Sequence, residues 1–137
     1  MVTNAEDLAA KDLVAQLSDR GDLFDPNCPT RLILDRIGDK WTVLAVLLLS
    51  NGPLRFTELR DGIGRVAPKV LTQTLRRLER DGLVTREVFA EVPPRVVYTL
   101  TPMGESLIVP IRAVSEWAEV HVPAITAAQN SYDLDSA

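Results

Sequence analysis

One cysteine, one histidine and only 5% aromatic residues are found in this 137-residue chain, and each shortage closes off a class of protein. A single thiol, Cys28, excludes an internal disulfide and fits a reducing compartment, so a cytoplasmic protein is expected. His121 stands without a cysteine or carboxylate cluster at metal spacing, so no metal site is expected. No Ser-His-Asp, paired-carboxylate or phosphate-loop arrangement occurs, and Gly62-Ile63-Gly64 lacks the third glycine and the strand context of a dinucleotide motif. Neither an enzyme nor a bound cofactor is expected. The longest apolar run, Val43 to Leu49, is far shorter than the roughly 20 residues a membrane helix needs. The N-terminus carries Glu6, Asp7 and Asp12 and no apolar signal core, which argues against export. There is no internal repeat and no linker that would separate two domains.

What remains is an ordinary globular composition, 46% hydrophobic and 25% charged, enough for one core plus surplus helix. The net charge of −4 argues at first against a nucleic-acid partner. Its distribution reverses that. From Arg55 to Arg95 nine Lys/Arg face six Asp/Glu, a local surplus of three positive charges, and local charge governs attraction to phosphate. A mixed-charge solvated face would show the same surplus, so charge alone does not decide.

Helical spacing of Leu8, Ala9, Leu13 and Leu17 predicts a helix over 5–20, stopped by Gly21 and followed by an acidic turn. Pro29 suits a first helical turn, and that helix should reach about Ile37 before Gly38. A third helix, from Lys40 to Ser50, bears apolar residues over most of its circumference and should be the buried one. Leu54 to Phe56 has room for a short edge strand, and Thr57 is the expected N-cap of a helix from Glu58 to Asp61 or Gly62. Pro68 opens another helix, running to Arg80 or Asp81 before Gly82. The β-branched stretches Leu83 to Val92 and Arg95 to Leu100 flank Pro93-Pro94, which predicts a hairpin with a stiff tip. Thr101-Pro102 starts a final helix that Pro110 and Pro123 should bend or break unless they sit near turns, and the tail after Ala128 should be frayed.

The helix beginning at Pro68 carries the informative pattern. Leu71, Leu75 and Leu78 fall in one narrow sector, while Lys69, Gln73, Arg76 and Arg80 lie opposite, flanked by Thr72 and Arg77. Gln pairs with adenine edges, Arg with guanine edges or phosphates, and Thr packs on a thymine methyl. Helix, turn, helix and hairpin in this order make a winged helix-turn-helix, whose second helix enters the DNA major groove. Lys69, Thr72, Gln73 and Arg76, early in the helix, are the expected base readers. Arg77 and Arg80 should touch phosphates or pair with Asp81 and Glu79. Arg95, beside the prolines of the wing, is placed for the minor groove or its phosphates.

The segments CPTRLILDRIGDKW, GPLRFTELR, PKVLTQTLRRLERDGLVTR, EVPPRVVYTLTPMG and SEWA resemble the HxlR-type transcriptional regulators, relatives of the MarR group. They cover about Cys28 to Ala118, in the family's order and nearly its spacing. The resemblance implies a winged-helix dimer on operator DNA, with the 68–80 helix in the major groove and 92–96 as the wing. Many family members have Ser and then a polar residue where this chain has Ala67-Pro68, so a hydroxyl cap and contact are missing here.

Cys28, at a helix start with Arg31 close behind, sits where positive charge favours thiolate. Family members that this chain resembles use a cysteine at this point to sense oxidants or electrophiles; a small buried hydrophobe is the other role open to it. Trp41 and Trp117 read as core or dimer-interface anchors. The surplus helices at 5–20 and 103–128 carry apolar residues that a two-fold dimer would cover.

The expected fold class is α+β, mainly α: a winged helix-turn-helix with extra N- and C-terminal dimerisation helices. Its parts are 1–27 (helix and acidic turn, dimerisation), 28–102 (DNA binding) and 103–137 (dimerisation helix and tail). The expected function is a cytoplasmic, homodimeric DNA-binding regulator, in particular a repressor of a pseudo-palindromic operator. It would answer an oxidant or electrophile at Cys28, or a small apolar ligand between the dimerisation helices and the winged domain. The alternative is a winged helix used for protein–protein contact without specific DNA binding.

Overall fold

The computed structural model describes residues 23–136; the expected helix at 5–20 lies outside them. The chain forms α1 (Pro29–Ile37), α2 (Lys40–Leu49), β1 (Leu54–Arg55), α3 (Phe56–Ile63), α4 (Pro68–Arg80), β2 (Val84–Phe89), β3 (Arg95–Leu100), α5 (Pro102–Ser106) and α6 (Ile108–Ser136). Pro29, Pro68 and Pro102 each begin a helix, where a missing N–H and a preset φ cost nothing. Asp39 caps α2 by accepting a hydrogen bond from the Trp41 N–H at 3.1 Å.

β1, β3 and β2 lie in that order in an antiparallel sheet, so β1 is the expected edge strand, with Leu54 opposite Tyr98. β2 and β3 pair from Val84↔Leu100 to Phe89↔Arg95, leaving residues 90–94 as the tip of the hairpin. The core gathers Ala45, Val46 and Leu49 of α2, Leu59 of α3, and Leu71, Leu75 and Leu78 of α4. Val84, Tyr98 and Leu100 cover it from the sheet, and Ile111 closes it from α6. α2 is thus the central helix, as its apolar circumference predicts, although its Leu44 faces outward.

Expectations fail locally in two places. α3 begins two residues before the predicted start, because Arg55 is its N-cap and the Glu58 carboxylate accepts the Arg55 backbone N–H at 3.0 Å. Thr57 is therefore inside the helix and caps nothing. Pro110 meets the exception for a proline near a turn: it falls in the first turn of α6, and backbone bonding resumes at once with Ile111 N–H to Leu107 C=O. Pro123 is accommodated inside α6 at the loss of one bond, and the helix runs on through the predicted tail to Ser136.

α4 ends in a hydrogen-bonded C-cap. Gly82 takes φ +75°, the Leu83 N–H donates to Leu78 C=O at 2.9 Å, and the Gly82 N–H donates to Glu79 C=O at 3.0 Å. Thr101, the N-cap of α5, donates its hydroxyl to Gly82 C=O at 2.6 Å and accepts from the Gly104 N–H at 3.1 Å. Gly104 is buried against this joint, and a side chain there would overlap the Leu83 carbonyl. The Arg36 guanidinium of α1 pairs with the Asp81 carboxylate at the end of α4.

Candidate nucleic-acid interface

α3, the turn at 64–67 and α4 form the helix-turn-helix. Gly64 takes φ +70°, and Arg65, exposed, is held at φ +34°, a conformation few non-glycine residues adopt. Val66 is buried beneath it and pins the turn. Across α4 the two faces separate as the spacing predicts. Leu71, Leu75 and Leu78 are fully buried, while Lys69, Gln73, Arg76, Arg77 and Arg80 are exposed. Thr74 joins the buried side, its hydroxyl satisfied by Val70 C=O at 3.0 Å, which makes a polar residue tolerable in the core.

Lys69, Arg76, Arg77 and Arg80 enter no ion pair among the described residues. This corrects the expected partners: Asp81 is taken by Arg36, and Glu79 by Arg86 of β2 at 3.6 Å. The basic side chains of α4 are therefore not compensated by acidic partners among the described residues. Thr72 is half-buried and its hydroxyl donates to Pro68 C=O at 2.8 Å, so its methyl group is what it has left to offer. Tyr98 lies beneath this region; burial raises its phenol pKa, opposed by the nearby positive charges of Arg86 and Arg76 and reinforced by Glu79.

The wing differs from the expectation in one respect. Arg95 does not project from the tip. Its guanidinium lies over the Phe89 ring at 4.2 Å and meets the Glu91 carboxylate at 3.2 Å. The residue left fully exposed at the tip is Val92, followed by Pro93 and Pro94. Between this tip and the start of α3 runs a cleft of about 330 Å³ bordered by Arg55, Phe56 and Thr57. Arg55, on the rim of this cleft, and Arg65, in the turn before α4, are exposed cations that helical periodicity does not reveal, because neither lies inside a long helix.

Cys28 is buried, with 6% of its surface exposed, and is the N-cap of α1. Its N–H donates to Asp25 C=O at 3.0 Å and its C=O accepts from Leu32 N–H at 3.1 Å. Arg31, expected beside the thiol, donates instead to the Phe24 carbonyl at 3.1 Å. At the other end of α1, Leu34, Ile37 and Gly38 line an apolar cleft of about 370 Å³ with Val43 of α2 and Ile111 and Val114 of α6. Ile111 is the sole buried residue of α6, and Trp117, 58% exposed, stacks on His121 at 4.5 Å outside the core of this subunit. No helix among the described residues is long and apolar enough to cross a membrane.

A helix-turn-helix with a bare basic helix and an adjoining hairpin defines the winged-helix regulators. The chain belongs to the HxlR-like helix-turn-helix family, whose pattern it matches over residues 36–126. It is 38% identical over 117 residues to the HTH-type transcriptional regulator YtfH of Escherichia coli (strain K12), covering 85% of this chain and 93% of that protein. The solved structure of the transcriptional regulator ytfH from Salmonella typhimurium superposes with a TM-score of 0.74 at 38% identity, covering 80% of this chain and 98% of that one. The redox regulator HypR in its reduced form gives a TM-score of 0.66 at 36% identity, over 72% of this chain and 98% of HypR. The protein is thus an HTH-type transcriptional regulator and not an enzyme.

Proposed function

We propose that the chain is a cytoplasmic, homodimeric repressor that binds a pseudo-palindromic operator through Lys69, Thr72, Gln73, Arg76, Arg77 and the wing around Arg95. The single observation that carries this is the unpaired basic face of α4, held outward by its buried leucines. A second copy is supported by α6, which exposes Val109, Val114, Trp117, Val120, Val122 and Ile125. Self-complementary packing of such a patch removes it from water and sets two recognition helices about 34 Å apart on successive turns of DNA.

A signal has two places to act, both on α1. Cys28 stands at its N-terminal end, and the apolar cleft suits a small apolar ligand at its C-terminal end, beside Arg36. Displacement of α1 would reach the recognition helix through the Arg36–Asp81 pair. A coupling of about 1–3 kcal/mol changes operator affinity about 5- to 150-fold. With one cysteine in the chain, the oxidised product is a sulfenic acid, an adduct, or a disulfide to another subunit or a small thiol.

The test is a salt titration of binding to duplex DNA selected by the protein from a random pool. Arg76→Ala should weaken binding about tenfold and reduce the dependence on salt by about one released ion. Binding without salt dependence, indifferent to Lys69→Ala and Arg76→Ala, would instead favour a protein–protein module. Removal of residues 1–20 should give monomers of weak affinity, and a fully dimeric, fully binding truncation would refute the assigned role of that segment. Cys28→Ser with an unchanged response to diamide would discard the thiol as the sensor.

A further inference from the structure

The wing tip is apolar where a cation is expected, and this changes what it can read. Arg95 is committed inside the hairpin: its guanidinium lies over the Phe89 ring and pairs with the Glu91 carboxylate, and its Nε is sealed from solvent. Withdrawing it to reach a phosphate would forfeit both contacts. Val92 leads the tip with its side chain entirely in water, beside two prolines whose fixed φ and missing N–H keep the loop stiff. An isolated monomer gains nothing from presenting a fully hydrated valine on a rigid support. The cleft behind the tip is bordered by the first residues of α3, the first helix of the helix-turn-helix, where Arg55 and Thr57 are exposed.

We infer that Val92-Pro93-Pro94 is an apolar wedge that enters the minor groove and selects A·T pairs there by shape. The floor of the groove over an A·T pair is open, whereas over G·C it carries the guanine 2-amino group, which the valine methyls would meet. Other minor-groove proteins insert apolar side chains between base steps, so an apolar tip is compatible with the groove. The inference rests on the DNA-binding reading above, with the wing as a specificity element in place of an electrostatic arm.

The experiment uses the full chain and a duplex it selects from a random pool, with the base pairs under the wing located by minor-groove protection. Replacing an A·T pair there by G·C should weaken wild-type binding about tenfold, and inosine·C, which lacks the 2-amino group, should restore it. Val92→Ser should lose about tenfold on the A·T duplex, as apolar burial is lost, and should no longer distinguish A·T from G·C. Its salt dependence should match wild type, and Val92→Leu should retain discrimination. The side chain touches nothing within the subunit that its replacement would unfold. The inference is overturned if Val92→Ser binds and discriminates as wild type does. It is equally overturned if Arg95→Ala abolishes discrimination and lowers the salt dependence, or if Val92→Ser turns a dimer into monomers. An Arg76→Ala variant with undiminished binding would instead overturn the DNA-binding reading beneath it.

Discussion

At its C-terminal end α4 is tied down from several directions: the Gly82 cap, the Thr101 hydroxyl on the Gly82 carbonyl, and Arg36 on Asp81. At its N-terminal end the same helix has Ala67 as a cap with no side-chain hydrogen bond, a proline, and exposed Lys69 and Gln73. The locked end fixes where the helix points. The open end is left with unsatisfied N–H groups and positive charge, which is what an anionic backbone or a base edge requires. Stability and recognition are thus separated along a single helix, and substitutions at the two ends should fail in different assays.

The largest effect is expected at the locked end. Gly104→Ala should destabilise the fold by about 3 kcal/mol in urea unfolding, because the added methyl overlaps the Leu83 backbone and the joint cannot relax. Arg36→Ala should cost about 2 kcal/mol by leaving the largely covered Asp81 carboxylate without its partner, and the Arg36→Ala/Asp81→Ala double variant should recover part of the loss. At the open end, Gln73→Ala should leave the unfolding midpoint unchanged. It should reduce operator affinity about tenfold and relax the base preference at one position, measured by binding to single-substituted duplexes. Ala67→Ser should add about 0.5–1 kcal/mol of stability by supplying the absent cap. The smallest effect concerns pH. Tyr98 has its phenol pKa raised by burial above the ordinary 10.0, so the stability it contributes is complete below about pH 10 and is lost as pH rises through the raised value. Tyr98→Phe should flatten that alkaline decline.

The open end is readable from sequence, as are the Gly82 stop and the Thr101 start at the locked end, but the tie of that end to α1 is not. Periodicity of 3.6 residues separates Leu71, Leu75 and Leu78 from Lys69, Gln73 and Arg76, and prolines 29, 68 and 102 mark helix starts, because these signals are local. The pairing of Arg36 with Asp81 spans 45 residues and depends on how α1 crosses the end of α4. No spacing rule contains that. Thr57 is no cap because the Glu58 carboxylate already takes the Arg55 N–H and starts the helix earlier, and Arg95 is withdrawn because Phe89 and Glu91 offer it partners only once the hairpin is in register. Pro123 illustrates the same limit, since neighbouring turns hold a helix across one missing bond.

α6 carries a consequence for the abundance of the protein in the cell. A helix of 29 residues extends about 43 Å, yet only its first turns hold it to its own subunit, through buried Ile111 and half-buried Ile108. If its remaining apolar residues are covered only by association, folding free energy becomes a function of concentration, and the melting temperature should climb as the protein is made more abundant. A scarce regulator would then be both poorly assembled and quickly degraded, so that operator occupancy responds more steeply than in proportion to synthesis.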